Sequence, residues 1–181
     1  MAHGPDTEKL LAKIAENNKY LYINHLDITS LPQLPDTITG IWCNNTNIKH
    51  ITSLPSKLEI LCCGYTPLEK LCRLPSTLTF LSCERAQLKV LPELPNGLDS
   101  LNISYCPIRY LPELPNSLRY IQHFEAPLMI KPSNELLIFS KNEIQWYNQK
   151  WNPIRELYRT QKRVALIKEE LMSVVFSPML A

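Results

Sequence analysis

Leucine and isoleucine return to the same offsets every 20 residues along most of this chain. The set Ile38, Leu58, Leu78, Leu98, Leu118 is followed by Ile41, Leu61, Leu81, Leu101, Ile121 and then by Ile48, Leu68, Leu88, Ile108, Leu128. A further row runs Leu31, Ile51, Leu71, Leu91, Leu111, and a Leu-Pro pair stands at 34–35, 54–55, 74–75, 94–95 and 114–115. A period of this length marks a solenoid, in which each unit buries its apolar face only against its neighbours.

Within one unit the pattern changes from one element to the next. Leu61-x-Cys63 alternates as a strand does, with Leu61 and Cys63 inward and Cys62 and Gly64 outward. Thr66-Pro67, Cys106-Pro107 and Ala126-Pro127 then end the strand, because proline fixes φ and cannot donate to a sheet. The return limb carries prolines three apart in Leu91-Pro92-Glu93-Leu94-Pro95 and Leu111-Pro112-Glu113-Leu114-Pro115, a spacing that no α-helix interior accepts. It predicts an extended, polyproline-like, non-helical convex side.

The same offsets extend the strands beyond the five copies of the phrase. Leu21, Ile23 and Ile28 stand 20 residues before Ile41, Cys43 and Ile48 and give a first strand. Leu136-Leu137-Ile138-Phe139 gives a last, degenerate one, since Pro132 to Ile138 repeats the step from Pro115 to Ile121. The expected fold class is therefore α/β, with a parallel concave sheet of about seven strands over residues 19–141.

The flanks read as helical caps that keep the end units from exposing core. Residues 1–18 hold Asp6 as an N-cap, Glu8 in the first turn and Leu10, Leu11, Ile14 and Ala15 at helical spacing, with Asn17-Asn18 as the stop. Residues 142–181 hold a short helix with Trp146 and Tyr147, then the start signal Asn152-Pro153 for a helix reaching about Met172. One face of that helix carries Arg155, Arg159, Lys162, Arg163 and Lys168, a basic patch whose plainest reading is solvation. The tail 174–181 is apolar, which suits packing on the domain or contact with a second copy.

The leucines agree from unit to unit, whereas the outward strand positions do not. Four outward columns follow from the period: Tyr20 to Tyr120, Tyr22 to Gln122, Asn24 to Phe124 and His25 to Glu125. Core positions are held by packing; the varied columns are free to match a ligand. Tyr22, Trp42, Tyr65, Phe80, Arg85, Tyr105, Tyr120 and Phe124 fall in them, and aromatics with arginine are the usual anchors of protein interfaces. The expected partner-binding surface is this face, centred on Trp42, Tyr65, Arg85 and Tyr105. A plainer account has these rings merely stacking along the strands.

The phrase resembles the leucine-rich repeat, in its short LPx class with LPxLPxxLxxLxxxxNxL units. Such repeats are best known in secreted effectors of pathogenic bacteria and occur also in large DNA viruses and amoebae. The resemblance implies an effector-type adaptor whose partner is another protein, one of a host. It departs at the asparagine that usually braces the turn. Here that position reads Leu26, Thr46, Thr66, Ala86, Cys106 and Ala126, so the side-chain ladder should be incomplete. Some bacterial relatives add a ubiquitin-ligase domain with a catalytic cysteine. All six cysteines here precede residue 107, so that activity is not implied.

Composition changes this picture little. The 181 residues carry 19 Lys/Arg against 17 Asp/Glu, with both signs mixed through the repeats, and the net charge of +2 ranks nucleic acid below protein as a ligand. No leader-like or membrane-spanning apolar run is present, and the expectation is an intracellular chain with no membrane partner. Cys43, Cys63 and Cys83 share a core offset and read as buried thiols, although strands about 4.8 Å apart would also allow a disulfide. No Gly-rich phosphate loop, HExxH or GxSxG motif occurs, and the histidines are dispersed, so neither catalysis nor a metal or other cofactor is expected.

A non-enzymatic protein-interaction module is the leading reading. Two others compete: an assembly component that self-associates through the C-terminal helix and tail, and nucleic-acid association through the basic C-terminal helix.

Overall fold

The computed structural model describes residues 5–16, 18–128, 136–138, 144–150 and 160. The chain divides into two compact units, Met1–Ile144 and Gln145–Ala181. The first opens with a helix, α1 (Thr7–Ala15), followed by β1 (Tyr20–Tyr22), β2 (Gly40–Trp42), β3 (His50–Ile51), β4 (Ile60–Cys62), β5 (Lys70–Leu71), β6 (Phe80–Ser82), β7 (Ser100–Asn102), β8 (Tyr120–Gln122) and β9 (Leu136–Ile138). A seven-stranded sheet runs in the order β1-β2-β4-β6-β7-β8-β9.

From β1 to β8 this sheet is parallel, and Leu21, Ile41, Leu61, Leu81, Leu101 and Ile121 are successive register partners. A slip of one residue would turn these leucines out to solvent, so the apolar pattern fixes the register. All six are buried, together with the inward residues Ile23, Cys43, Cys63, Cys83 and Ile103 two positions on.

The Leu-Pro phrase closes each coil through a repeated backbone bond. The amides of Ile38, Leu58, Leu78, Leu98 and Leu118 each donate to the carbonyl of the proline three residues before, at 3.0–3.2 Å. The next amides, those of Thr39, Glu59, Thr79, Asp99 and Arg119, donate across to the previous turn at 2.8–2.9 Å. Each proline thus fixes φ at a turn and supplies the acceptor that the turn requires.

The return limbs are non-helical, as the prolines predict. One feature was not anticipated: β3 and β5 form a second, two-stranded parallel sheet there. The amide of Cys72 donates to Ile51 O at 2.9 Å just beyond the pair. At the offset of Cys72, the later units carry Pro92 and Pro112, which have no N–H to give. The small sheet forms where the second proline is missing.

The turn that lacks its asparagine is braced in several ways. The hydroxyls of Thr46 and Thr66 donate to the carbonyls of Cys43 and Cys63 at 2.8 and 2.7 Å, and the Cys106 thiol donates to Cys83 O at 2.8 Å. At Ala86 and Ala126 the backbone amide itself reaches the carbonyl three residues back, at 3.0 Å in each case. Buried carbonyls therefore find donors even where the side chain offers none.

Both ends differ from expectation in detail. Asp6 precedes α1, but its carboxylate does not cap the helix. It accepts the amide of Asp27 at 2.8 Å and pairs with Lys9 at 2.6 Å, so it ties the helix to the first turn. Of the apolar set on α1 only Leu10 is fully buried, and Leu11 is half exposed. At the other end β9 exists but runs antiparallel to β8, with Leu137 opposite Ile121. A parallel strand needs a completed crossover, whereas an antiparallel one needs only a reversal. The Leu-Pro pair that would complete the next coil is absent, since Asn134-Glu135 stands in its place.

A helical stretch at 144–150 follows, with Tyr147 buried and Trp146 half exposed. The predicted helix 153–172 lies outside the described residues except at helical Thr160; its basic patch and the apolar tail lie wholly outside them.

Candidate binding face

The face is built on six identical turns. His25, Asn45, Tyr65, Arg85, Tyr105 and Glu125 all have φ between 54° and 64°, the left-handed region that disfavours residues with a Cβ. The amides of the first five donate to a carbonyl of the next turn at 2.7–3.1 Å. That bond holds a conformation that costs about 1–2 kcal/mol per residue. Consecutive residues of an ordinary strand point to opposite faces, but this twist lets two neighbours, such as Glu84 and Arg85, serve the same surface.

The predicted site residues fall into three groups. At the N-terminal end Tyr22 stacks on Trp42 with ring centres 4.7 Å apart and planes 22° apart, and Tyr20 meets Trp42 edge-on at 5.9 Å. A Cβ on Gly40 would lie 2.6 Å from the Trp42 ring, so the absence of a side chain there is what admits the indole. Trp42 is half-buried as a result, while Tyr22 keeps 53% of its surface.

A second group follows the twisted turns. The Arg85 guanidinium lies 4.1 Å from the Tyr105 ring centre and 5.6 Å from that of Tyr65, in cation–π contact with both. Phe124 meets Tyr105 edge-on at 5.3 Å. The Tyr65 hydroxyl donates to Glu84 Oε1 at 2.9 Å, and the Asn102 amide reaches Glu84 Oε2 at 3.5 Å. Tyr65, Arg85, Tyr105 and Phe124 are all exposed.

Phe80 and Tyr120 stand in the first column, on either side of Ser100. Tyr120 is overlaid by Arg119 at 5.8 Å, and Arg119 is paired with Asp99. Trp42 thus belongs to another cluster than Tyr65, Arg85 and Tyr105, which do form one contiguous ridge. Three participants were not among the predicted site residues: Tyr20, Glu84 and Asn102. Tyr20 had a signal, its place two residues from Tyr22, but the role of Glu84 arises from the turn.

An asparagine ladder is present after all, moved onto this face. Asn24 Oδ1 accepts both the backbone amide and the side-chain amide of Asn44, at 2.9 and 3.1 Å, and Asn44 Oδ1 accepts the amide of Gly64 at 2.8 Å. It braces the N-terminal turns, and no residue of the ridge takes part in it.

The cysteines are free thiols, and Cys43, Cys63, Cys83 and Cys106 are buried. Burial pushes the Cys43 thiol up to about 12 and the half-buried Cys62 to about 11, so both stay protonated near neutral pH. Among the described residues no group of three or more His, Cys, Asp or Glu could hold a metal ion, and no helix is long and apolar enough to cross a membrane. On the return side, an open groove of about 510 Å³ runs past Leu54, Arg73, Leu74, Pro75, Glu93 and Leu94.

No protein-family model matches the chain, and no curated protein does. Among solved structures it is similar to the leucine-rich repeat domain of a Shigella effector, with 28% identity and a TM-score of 0.68 over 72% of this chain. The fold is a leucine-rich repeat solenoid. This solenoid spans 62% of the length of the Shigella domain. YopM of Yersinia pestis and YopM of Yersinia enterocolitica also match, at 23% and 20% identity with TM-scores of 0.45 and 0.36. These matches cover 66% and 67% of this chain and 48% and 42% of theirs.

Proposed function

We propose that the chain is a non-enzymatic recognition module that binds a partner protein through the exposed face of its parallel sheet. The observation that carries this reading is the ridge of Tyr65, Arg85 and Tyr105, in which an exposed arginine is held between two exposed tyrosines. Such preordered aromatic and guanidinium groups lose little freedom on binding, and they are the residue types that dominate interface energetics. The fold it shares with the Shigella effector domain supports an effector-type role of the LPx class, acting inside a cell on a host protein. Self-association and nucleic-acid binding would rest on residues 153–181, of which only Thr160 is described.

Capture from a eukaryotic lysate tests the reading. Wild type and a Val90→Ala control should recover the same partner; Val90 is 70% exposed and shares the return-limb offset of His50 and Lys70. A Tyr65→Ala/Tyr105→Ala variant should recover at most a tenth as much. Equal recovery by all three proteins would refute binding through this face.

A further inference from the structure

We infer that the Arg85 ridge is a receptor for the carboxylate of an aspartate or glutamate of the partner protein. The inference rests on the face reading above and deepens it.

The Arg85 guanidinium lies over the Tyr105 ring at 4.1 Å and over the Tyr65 ring at 5.6 Å, so two rings position it. Its N–H donors are exposed with the rest of the residue. Among the described residues no carboxylate pairs with Arg85, and its side-chain N–H groups have no protein acceptor. The nearest acid in sequence, Glu84, is spoken for by the Tyr65 hydroxyl and the Asn102 amide. Arg119 provides the contrast within the same molecule. It too lies over a tyrosine ring, but Asp99 already holds its charge.

A guanidinium positioned by two rings, with its N–H fork unpaired, recognises a bidentate pair of anionic oxygens. Carboxylate and phosphate both offer such a pair, and the local charge separates them. Glu84 precedes Arg85 in the same turn, and Glu125 occupies the turn after Tyr105 in the same column. The desolvation cost of a ligand grows as the square of its charge while its attraction to Arg85 grows only linearly, so with Glu84 beside the arginine the site suits a monoanion better than a dianion. The tyrosine rings on either side suit the apolar stem of an acidic side chain.

An array of random dodecapeptides tests this. Each peptide is also synthesised with Asp and Glu replaced by Asn and Gln, and with its Ser and Tyr phosphorylated; all are probed with the full chain. Peptides that bind wild type should carry an acid, and the acid-to-amide change should cut binding at least tenfold. Against Arg85→Gln the same change should matter less than twofold, while Arg119→Gln should behave as wild type. Arg85→Lys keeps the charge without the fork and should lose several-fold, which also serves if Arg85→Gln fails to fold. Peptides that are lost with Tyr65→Ala/Tyr105→Ala yet ignore both the acid and Arg85→Gln, or that prefer phosphate, would overturn the carboxylate inference and leave the face reading intact. Peptides indifferent to Tyr65→Ala/Tyr105→Ala would overturn both. An array on which nothing binds would overturn the carboxylate inference alone.

Discussion

The N-terminal cluster and the central ridge occupy one sheet face and use the same kinds of side chain, yet they leave different chemistry exposed. Around Gly40 the rings of Tyr20, Tyr22 and Trp42 satisfy one another, and an asparagine ladder braces the turns beside them. In the ridge the rings enclose a cation instead, and its donors remain free. The comparison teaches that aromatic content alone does not locate a binding surface. What counts is which groups the aromatics leave unsatisfied, and on this face that contrast separates a patch whose rings pack on one another from one that holds an unpaired cation.

The largest expected effect removes the floor beneath both regions. Leu61 is fully buried in β4, between the register partners Ile41 and Leu81. Leu61→Ala should destabilise the fold by about 2–5 kcal/mol, the usual range for a cavity in a packed core. Urea unfolding followed by tyrosine absorbance and by circular dichroism should show one transition, shifted as a whole. Two separate transitions would mean that the two clusters ride on independently folding halves.

A smaller effect should separate the clusters. In Gly40→Ala the new methyl group meets the Trp42 ring at 2.6 Å and Tyr20 at 2.9 Å, and overpacking of this kind costs about 1–3 kcal/mol. Near-ultraviolet circular dichroism from the stacked Tyr22 and Trp42 should collapse, while partner capture by the ridge should persist. Loss of capture together with the tryptophan signal would merge the two regions into one site.

The smallest effect concerns the paired arginine. The Arg119 side chain, followed by the Ser100 hydroxyl, holds the Asp99 carboxyl below its ordinary value of 3.8. In the pH window just below that value the unfolded chain binds more protons than the folded one, so stability rises with pH there. The contribution is present above about pH 4 and is lost as pH falls through the lower folded value. Asp99→Asn should therefore show a shallower acid loss of its urea midpoint than wild type, and 1 M salt should shrink the difference, since the pair is exposed. An identical acid profile would mean that Asp99 and Arg119 do not pair in solution, and the distinction between Arg119 and Arg85 would disappear with it.

Much of the fold could be read from the leucines, because a parallel coil needs the same residue at the same offset in each turn. The strands at Ile60–Cys62 and its equivalents fall where the alternation of Leu61 and Cys63 puts them. The grouping of Tyr65, Arg85 and Tyr105 was legible too, since they occupy one column in successive turns. Other features left no such trace. The direction of β9 depends on whether a crossover is completed, which the apolar pattern of Leu136 to Ile138 does not encode. The positive φ at Tyr65, Arg85 and Tyr105 carries no glycine to announce it, and without that twist Glu84 and Arg85 would face apart. Asp6 has the composition of a cap, but the amide of Asp27, distant in sequence, claims its carboxylate. The small β3–β5 sheet had a signal in the missing second proline, a contrast visible only when the units are compared with one another.

The repeated left-handed turn also turns the surface into a ruler. Every coil adds one strand spacing, about 4.8 Å, and presents one further pair of outward side chains at its twisted corner. Inserting a unit of 20 residues between β2 and β4 would carry the Arg85 ridge one graduation away from Trp42 while leaving the chemistry of each mark unchanged. Distance between contacts and identity of contacts are thus set by separate kinds of genetic change, the first by gain or loss of whole units and the second by substitution at corners the core does not inspect.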